Sequence, residues 1–558
     1  MRETNTASRI LHGAFILTMA SIFSKFIGTL QKIPLQNIGG DAVFGIYNTI
    51  YPFYSLVITI AMAGFPIAIS KFVAENEAAG NVGESRRVLR LSSLLIGSLG
   101  ITLGICTYIG APMIARLIDN SHVVLAIRYV SLAFLFVPMM SLLRGFFQGQ
   151  QNMVPTAISQ IVEQSVRVSV MILLLLYMTA KQAGPETIAA GALFGSAAGG
   201  AAGFLVMLGY WRRYVTRVGT LGATSGTKIK GATRTDHGVV RTTSAESSWR
   251  LLKRILMYAI PICLASLAIP LMGLVDTFTL PRLLKSDGFS ETGAMIQFGV
   301  YNRGIPLVQL VTMLATSLSV LFIPALAEAR AQGDSMLVKS QIRLSLRWFW
   351  LIGLAASVGL CVLATPINMM LYQDATGTDT MRWIAFTATF STMSLISAAL
   401  LQGIGVVKAP AVHLLVGAVA KILLNLLLVP QLGITGAAIA GVAAHGLAAA
   451  LNLALLARST GLSVRAGAVL ARPAIVLAGL ASAAGSAQWA AGVTLAALGL
   501  HSGRLVATIE GVSGVMAGAI VFVVLIALTK LISEEELRML PKIGHRLANI
   551  LKQLHIMR

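Results

Sequence analysis

The sequence predicts an all-α polytopic membrane protein with 14 transmembrane helices: two six-helix lobes in a parallel pseudo-two-fold repeat, then two further helices. Three observations carry this. Of 558 residues, 56% are hydrophobic and 11% charged, where a soluble chain carries about 25% charged residues. The apolar residues come in runs of about 20, long enough to cross a bilayer as helices, and not in the alternation a β-barrel requires. Finally, FGIYNTIYP at residues 44–52 returns as FGVYNRGIP at residues 298–306.

The spans fall near 10–33, 43–68, 91–117, 123–147, 155–178, 187–211, 255–280, 297–325, 344–367, 382–405, 409–430, 434–456, 468–491 and 505–531. Cations concentrate in the even-numbered connections: Lys71, Arg86, Arg87 and Arg90 after the second span, a run from Arg212 to Arg254 after the sixth, and Arg330, Lys339 and Arg343 after the eighth. Arg458, Arg465 and Arg472 follow the twelfth. Cation-rich loops face the cytoplasm, so both termini are expected there. The organisation is then an N-terminal lobe at 1–213, a Gly/Ser/Thr-rich linker at 214–250, a C-terminal lobe at 251–460, the extra helices at 461–531 and a tail at 532–558.

Several function classes drop out. The formal charge of +22 serves topology, so no nucleic-acid partner is expected. Cys106, Cys263 and Cys361 sit apart within apolar runs and suit packing, not metal binding or disulfides. The GATSGTK stretch at 222–228 lacks the P-loop spacing and a preceding strand, which excludes ATP binding there. The first span contains Lys25, precedes many others and lacks a cleavage site, so it is no signal peptide. The tail opens on a capping box at Ser533–Glu536 and continues as IGHRLANILKQLHIMR (543–558), the pattern of a basic amphipathic helix on the inner membrane surface. A membrane glycosyltransferase would need a sizeable external loop with carboxylates, and the odd-numbered loops are too short for one. The chain is expected not to be an enzyme.

The repeat extends beyond the doubled motif. KFVAENEAAGN (71–81) corresponds to PALAEARAQGD (324–334), FFQGQQNMVP (146–155) to LLQGIGVVKAP (400–410), and AGALFGSAAGG (190–200) to TGAAIAGVAAH (435–445). Spans one to six therefore recur as spans seven to twelve. Six is even, so the halves enter from the same side, and such transporters bind substrate between their halves.

Charges within spans are costly and mark function or pairing. At 1.5 Å per residue, Lys25 lies roughly 22 Å in from the cytoplasm and Arg303 roughly 9 Å in from outside. In a core of about 30 Å both are expected in the outer half, one from each lobe. Arg167 and Lys421 form a second set near the midplane. Glu163, one turn before Arg167, offers an i,i+4 partner, and Asp276 is the candidate partner of Lys421. His413 and His445 lack ligands at metal spacing and are expected to pack, so no metal is expected. The series Gly191, Gly195, Gly199 and Gly203 suits close helix packing, and Pro52, Pro66, Pro261, Pro270 and Pro306 suit kinks or hinges.

Residues 23–54, 63–75 and 301–329 (FSKFIGTLQKIPLQNIGGDAVFGIYNTIYPFY, AGFPIAISKFVAE and YNRGIPLVQLVTMLATSLSVLFIPALAEA) resemble the polysaccharide-transporter branch of the multidrug/oligosaccharidyl-lipid/polysaccharide (MOP) exporter superfamily. Within it the resemblance is to the stage V sporulation protein B-like family, related to the MurJ lipid II flippases. It implies a MATE/MurJ-like fold. It also implies flipping of undecaprenyl-pyrophosphate-linked saccharide from the inner to the outer leaflet of the bacterial cell membrane. The substrate would sit in a cationic cavity lined by spans one, two, seven and eight, with a lipid-tail groove at the last two spans. Lys25 falls where the family has a cavity arginine, and Arg303 matches the eighth-span arginine. Gln31 departs from a further arginine, with Lys32 beside it. The expected substrate-binding cations are therefore Arg303, Lys25 and Lys32. The expected midplane charge network is Glu163, Arg167, Asp276 and Lys421. No cofactor is expected, and coupling is to membrane potential or to H+ or Na+. The partners are the lipid-linked saccharide and membrane lipids, with the chain acting as a monomer. The alternative is a multidrug or cation antiporter of the same superfamily, which would favour intramembrane carboxylates over these cations.

Overall fold

The computed structural model describes residues 2–62, 64–224, 247–462, 466–500, 503–529, 531 and 549. These form helices and short connections, with no strand among the described residues. The linker reading survives only between α8 and α9, at residues 225–246, which lie outside the described residues, as does the amphipathic tail at 532–548 and 550–558.

The helices are α1 (Arg2–Leu30), α2 (Lys32–Met62), α3 (Phe65–Ala78), α4 (Val82–Ile118), α5 (Val124–Ser131), α6 (Ala133–Gly149), α7 (Val154–Ala180), α8 (Pro185–Thr224) and α9 (Ser248–Ser266). They continue as α10 (Ala268–Ser286), α11 (Glu291–Asn302), α12 (Ile305–Ala331), α13 (Ser335–Val362), α14 (Ala364–Tyr372) and α15 (Thr378–Gly403). The last are α16 (Ala409–Leu432), α17 (Ile434–Thr460), α18 (Ala466–Ala497) and α19 (Arg504–Leu528). Eleven helical stretches among the described residues are long and apolar enough to cross a membrane. By that measure the expected 14 spans are not all recovered, and the helix breaks give the reason. The expected seventh span is split at Leu267 and the eighth at Arg303–Gly304, while the stretch Phe15–Ala78 joins α1 to α3.

The chain forms two compact units: Met1–Gln31 with Ile46–Leu274, and Lys32–Gly45 with Val275–Arg558. The short segment 32–45, which lies within the first half of the sequence, thus belongs to the second unit. Gly40, at φ 78° inside α2, sets its course, because only glycine adopts that conformation without strain.

In the first unit α7 and α8 pack closely through the glycine series. A Cβ at Gly195 would lie 2.6 Å from the Arg167 carbonyl oxygen, and one at Gly199 would lie 2.6 Å from that of Glu163. Small residues let the backbones approach this far. Cys263 is buried and its Sγ accepts the Gly64 N–H at 3.1 Å, while Cys106 is exposed on apolar α4.

In the second unit the core beneath α11 gathers Leu280, Leu284, Phe298, Tyr301 and Ile384. Ser290 caps α11 by accepting the Gly293 N–H at 3.0 Å, and Asp334 caps α13 through the Leu337 N–H at 2.9 Å, each relieving a donor that a helix start leaves unpaired.

Candidate functional site

The second copy of the repeated motif lies where the helix stops. α11 ends at Asn302 and α12 begins at Ile305. Pro306 sits in the first turn of α12, where its missing N–H costs nothing. The carbonyl freed at Arg303 accepts the Tyr372 hydroxyl at 2.8 Å, so the break leaves no orphaned group there.

Arg303 is 1% exposed, and two carboxylates enclose its guanidinium. Nε donates to Asp41 Oδ1 at 3.0 Å and Nη2 to Asp41 Oδ2 at 2.6 Å. Nη1 donates to Asp374 Oδ1 at 2.7 Å and Nη2 to Asp374 Oδ2 at 3.0 Å. Nη1 also reaches the Thr376 carbonyl at 3.3 Å. These are two fork-to-fork pairs, the strong geometry for arginine, and they use its whole complement of N–H donors. The Tyr372 ring lies 5.4 Å from the guanidinium carbon. In this conformation Arg303 therefore offers no free donor to a phosphate.

Both acids are themselves held. Asp41 accepts from Gln36 Nε2 at 3.1 Å, and Asp374 accepts the Thr376 N–H at 2.7 Å. Asp374 lies in the loop between α14 and α15. Burial pushes its carboxyl up, but hydrogen bonds from Arg303 and Thr376 outweigh this and hold it below the ordinary value.

A second buried network shares α11. Lys421 Nζ donates to Asp276 Oδ2 at 2.6 Å, and the Tyr301 hydroxyl donates to the same oxygen at 2.9 Å. Asn425 Nδ2 reaches Asp276 Oδ1 at 3.2 Å and Thr279 Oγ1 at 2.8 Å. The structure thus brings together the midplane acid and lysine singled out in the sequence, and α11 carries Tyr301 and ends against Arg303.

The third set belongs to the first unit. Glu163 lies between Arg167 at 2.8 Å and Arg144 at 2.9 Å, and Arg144 Nε also donates to Ser159 Oγ at 2.8 Å. Lys25 is exposed on α1, and no carboxylate pairs with it among the described residues. Lys32 is 5% exposed and lies 3.4 Å from the Gln309 amide oxygen. Gln31 is also buried, its amide 3.4 Å from the Tyr47 hydroxyl. Among the described residues no group of three or more His, Cys, Asp or Glu side chains could hold a metal. His413 instead meets Asn452 Oδ1 at 2.7 Å.

Residues 10–330 match the family model described as polysaccharide biosynthesis protein. The chain belongs to that family. Among its relatives is the uncharacterized membrane protein YabM of Bacillus subtilis, 32% identical over 98% of this chain and 97% of the other. The lipid II flippase MurJ of Bacillus subtilis is 29% identical over 92% of this chain and 94% of the other. The fold is similar to the inward-facing conformation of a multidrug resistance MATE family transporter of the MOP superfamily. That match has a TM-score of 0.63, 15% identity, and covers 78% of this chain and 94% of the other. The family member described here is a multi-pass membrane protein of the transporter class, not an enzyme.

The sequence reasoning missed Asp41, Asp374 and Arg144. A signal for the first two was present: the chain has only 21 acidic residues, and a buried arginine demands acids. Asp41 stands three residues before the first copy of the motif and Asp374 in a short external loop, so neither counted as an intramembrane charge. Arg144 lay within an expected span and was overlooked.

Proposed function

We propose that this protein flips an undecaprenyl-pyrophosphate-linked saccharide, lipid II or a related polysaccharide precursor, from the inner to the outer leaflet by alternating access. The single observation that carries the reading is its likeness to a lipid II flippase over nearly the whole of both chains. The charges support it. A pyrophosphate needs cations in a low-dielectric site. Lys25 has no acid partner among the described residues, and Lys32 meets a neutral amide. In this reading Lys25 and Lys32 meet the headgroup first. Arg303 joins them once Asp41 and Asp374 yield its donors, phosphate oxygens replacing carboxylate oxygens on the same planar fork. Both termini lie in the cytoplasm of a bacterial cell, the protein acts as a monomer without ATP, and transport is coupled to membrane potential or to an H+ or Na+ gradient. The Asp276–Lys421 pair is the candidate for sensing that gradient.

A multidrug antiporter would hold a cationic drug on free intramembrane carboxylates. Asp276 and Glu163 are each already matched by a cation at 2.6 Å and 2.8 Å, which disfavours that role.

The test is complementation of a bacterial strain depleted of its lipid II flippase. The wild-type chain restores growth, and Arg303→Ala and Lys25→Ala each abolish rescue while the protein still inserts, as checked by membrane fractionation. Rescue by both variants removes the cation model. Failure of well-expressed wild-type protein points to another lipid-linked glycan.

A further inference from the structure

One groove on the first unit is not used by this transport reading. It lies where α3 and α9 pack side by side. Gly64 makes the approach possible, because a Cβ there would run into the Ala259 backbone. Phe72 and Tyr258 meet edge to face, with centroids 6.2 Å apart. Beside them opens a groove of about 410 Å³ lined by Lys71, Phe72, Glu75, Arg254, Met257 and Tyr258. Its two cations are held on aromatic faces, Lys71 Nζ 4.3 Å from the Tyr258 ring and the Arg254 guanidinium 4.9 Å from the Phe72 ring. Glu75 is 3.9 Å from Lys71, so the groove carries two positive charges and one negative.

Helical spacing sets what adjoins this charge. On α3, Ile67, Lys71 and Glu75 recur every four residues and share a face. On α9, Arg254, Met257, Pro261 and Leu264 recur at three or four and do likewise. Ile67 is 49% exposed, Met257 67% and Leu264 63%. A cationic pocket at one end thus continues into two exposed apolar faces along the helices. The other basic residues at this end, Arg86, Arg87, Arg250 and Lys253, place it in a positive field.

We propose that this groove binds the headgroup of an anionic phospholipid, its single phosphodiester charge matching the net positive charge of the groove. The acyl chains lie along the apolar faces of α3 and α9. A bilayer phospholipid suits the site better than the lipid-linked pyrophosphate, whose additional negative charge would be set beside Glu75. The assignment to the cytoplasmic leaflet rests on the orientation proposed above, whereas the binding itself does not.

The experiment is native mass spectrometry of the purified full-length protein with equal amounts of dioleoyl phosphatidylglycerol and dioleoyl phosphatidylcholine. Phosphatidylglycerol is retained in preference. Lys71→Gln and Arg254→Gln each weaken its retention about fivefold, the effect of one cation near a membrane surface, and leave phosphatidylcholine unchanged. Lys71→Arg retains the preference, which separates charge from folding. Equal retention of the two lipids, or no loss in the double glutamine variant, overturns the proposal. So does displacement by millimolar inorganic phosphate, which would mark a free-anion site, or by undecaprenyl pyrophosphate, which would mark a substrate site. No transport is measured, so failure of the flippase reading leaves this result standing, and the reverse.

Discussion

The two copies of the repeated motif make an internal comparison. In FGIYNTIYP, α2 runs on through Thr49, which is fully buried, and continues past Pro52 to Met62. In FGVYNRGIP the helix stops at Asn302, Arg303 stands at the break, and a new helix starts at Ile305. The shared glycines nevertheless do one job. A Cβ on Gly45 would strike the Met295 carbonyl, and one on Gly299 would strike the Asp41 carbonyl. These contacts are reciprocal, because Asp41 and Met295 correspond under the same offset that relates Gly45 to Gly299. The repeat has kept the close approach of its backbones and changed the course of the chain beyond it. Where the second copy puts a cation, it also opens the helix, and the break gives the guanidinium access to Asp374 in the next loop and to Asp41 across the glycine contact.

The comparison breaks most sharply if the arginine is moved to the first copy. Thr49→Arg places a large cation at a fully buried position in an unbroken helix. Overpacking and an uncompensated charge act together, a combination costing upwards of about 4 kcal/mol. The variant is expected not to accumulate in membranes, as measured by fractionation and detergent-solubilised yield. Normal accumulation would show that the first copy also offers acceptors, and that the helix break is not what admits the charge.

Much of this was legible in residue order. Apolar run length and the cation-rich loops gave the helical membrane class, and the doubled motif gave the repeat. Asp276 with Lys421 and Glu163 with Arg167 followed from cost alone, since a charge in an apolar run must be matched. The surroundings of Arg303 were not legible. Its partners lie far away in sequence, at Asp41 and Asp374, and reach it through Gly40, a kink that no hydrophobic pattern displays. Membership of segment 32–45 in the second unit was hidden for the same reason: periodicity reports a helix, not the neighbours it packs on.

A smaller effect divides the two acids of Arg303. Asp41 is 17% exposed and Asp374 48%. Asp41→Asn removes one partner of a buried pair and is expected to cost about 3–5 kcal/mol, whereas Asp374→Asn costs clearly less because water compensates. Thermal melting of the purified protein orders them. Acid gives a second check. The Asp374 carboxyl is held below its ordinary value, so its contribution is complete above the unfolded value of about 3.9 and is lost only as pH falls through the lower folded value. Melting temperature should therefore not change between about pH 5 and 8 on account of this group. A drop across that window that Asp374→Asn abolishes would contradict the arrangement.

The finest contrast lies two residues before the arginine. Tyr47 and Tyr301 occupy the same place in the motif and are both buried. Tyr47 meets the Gln31 amide at 3.4 Å and stacks on Tyr51 at 5.9 Å, whereas Tyr301 donates to Asp276 at 2.9 Å. Phenylalanine keeps the ring at either site. At Tyr47 it removes a long bond between neutral groups and should change stability by less than about 1 kcal/mol. At Tyr301 it removes a donor from a buried carboxylate, a hydrogen bond worth about 1.5–3 kcal/mol when the acceptor is charged, and Lys421 and Asn425 remain to limit the loss. Tyr301→Phe is therefore expected to destabilise more than Tyr47→Phe, though modestly. If the Asp276 network takes part in coupling, only Tyr301→Phe shifts the dependence of transport on external pH or Na+. Equal effects of the two substitutions in both assays would mean that the motif's tyrosines serve packing alone, and that the copies differ only at the arginine.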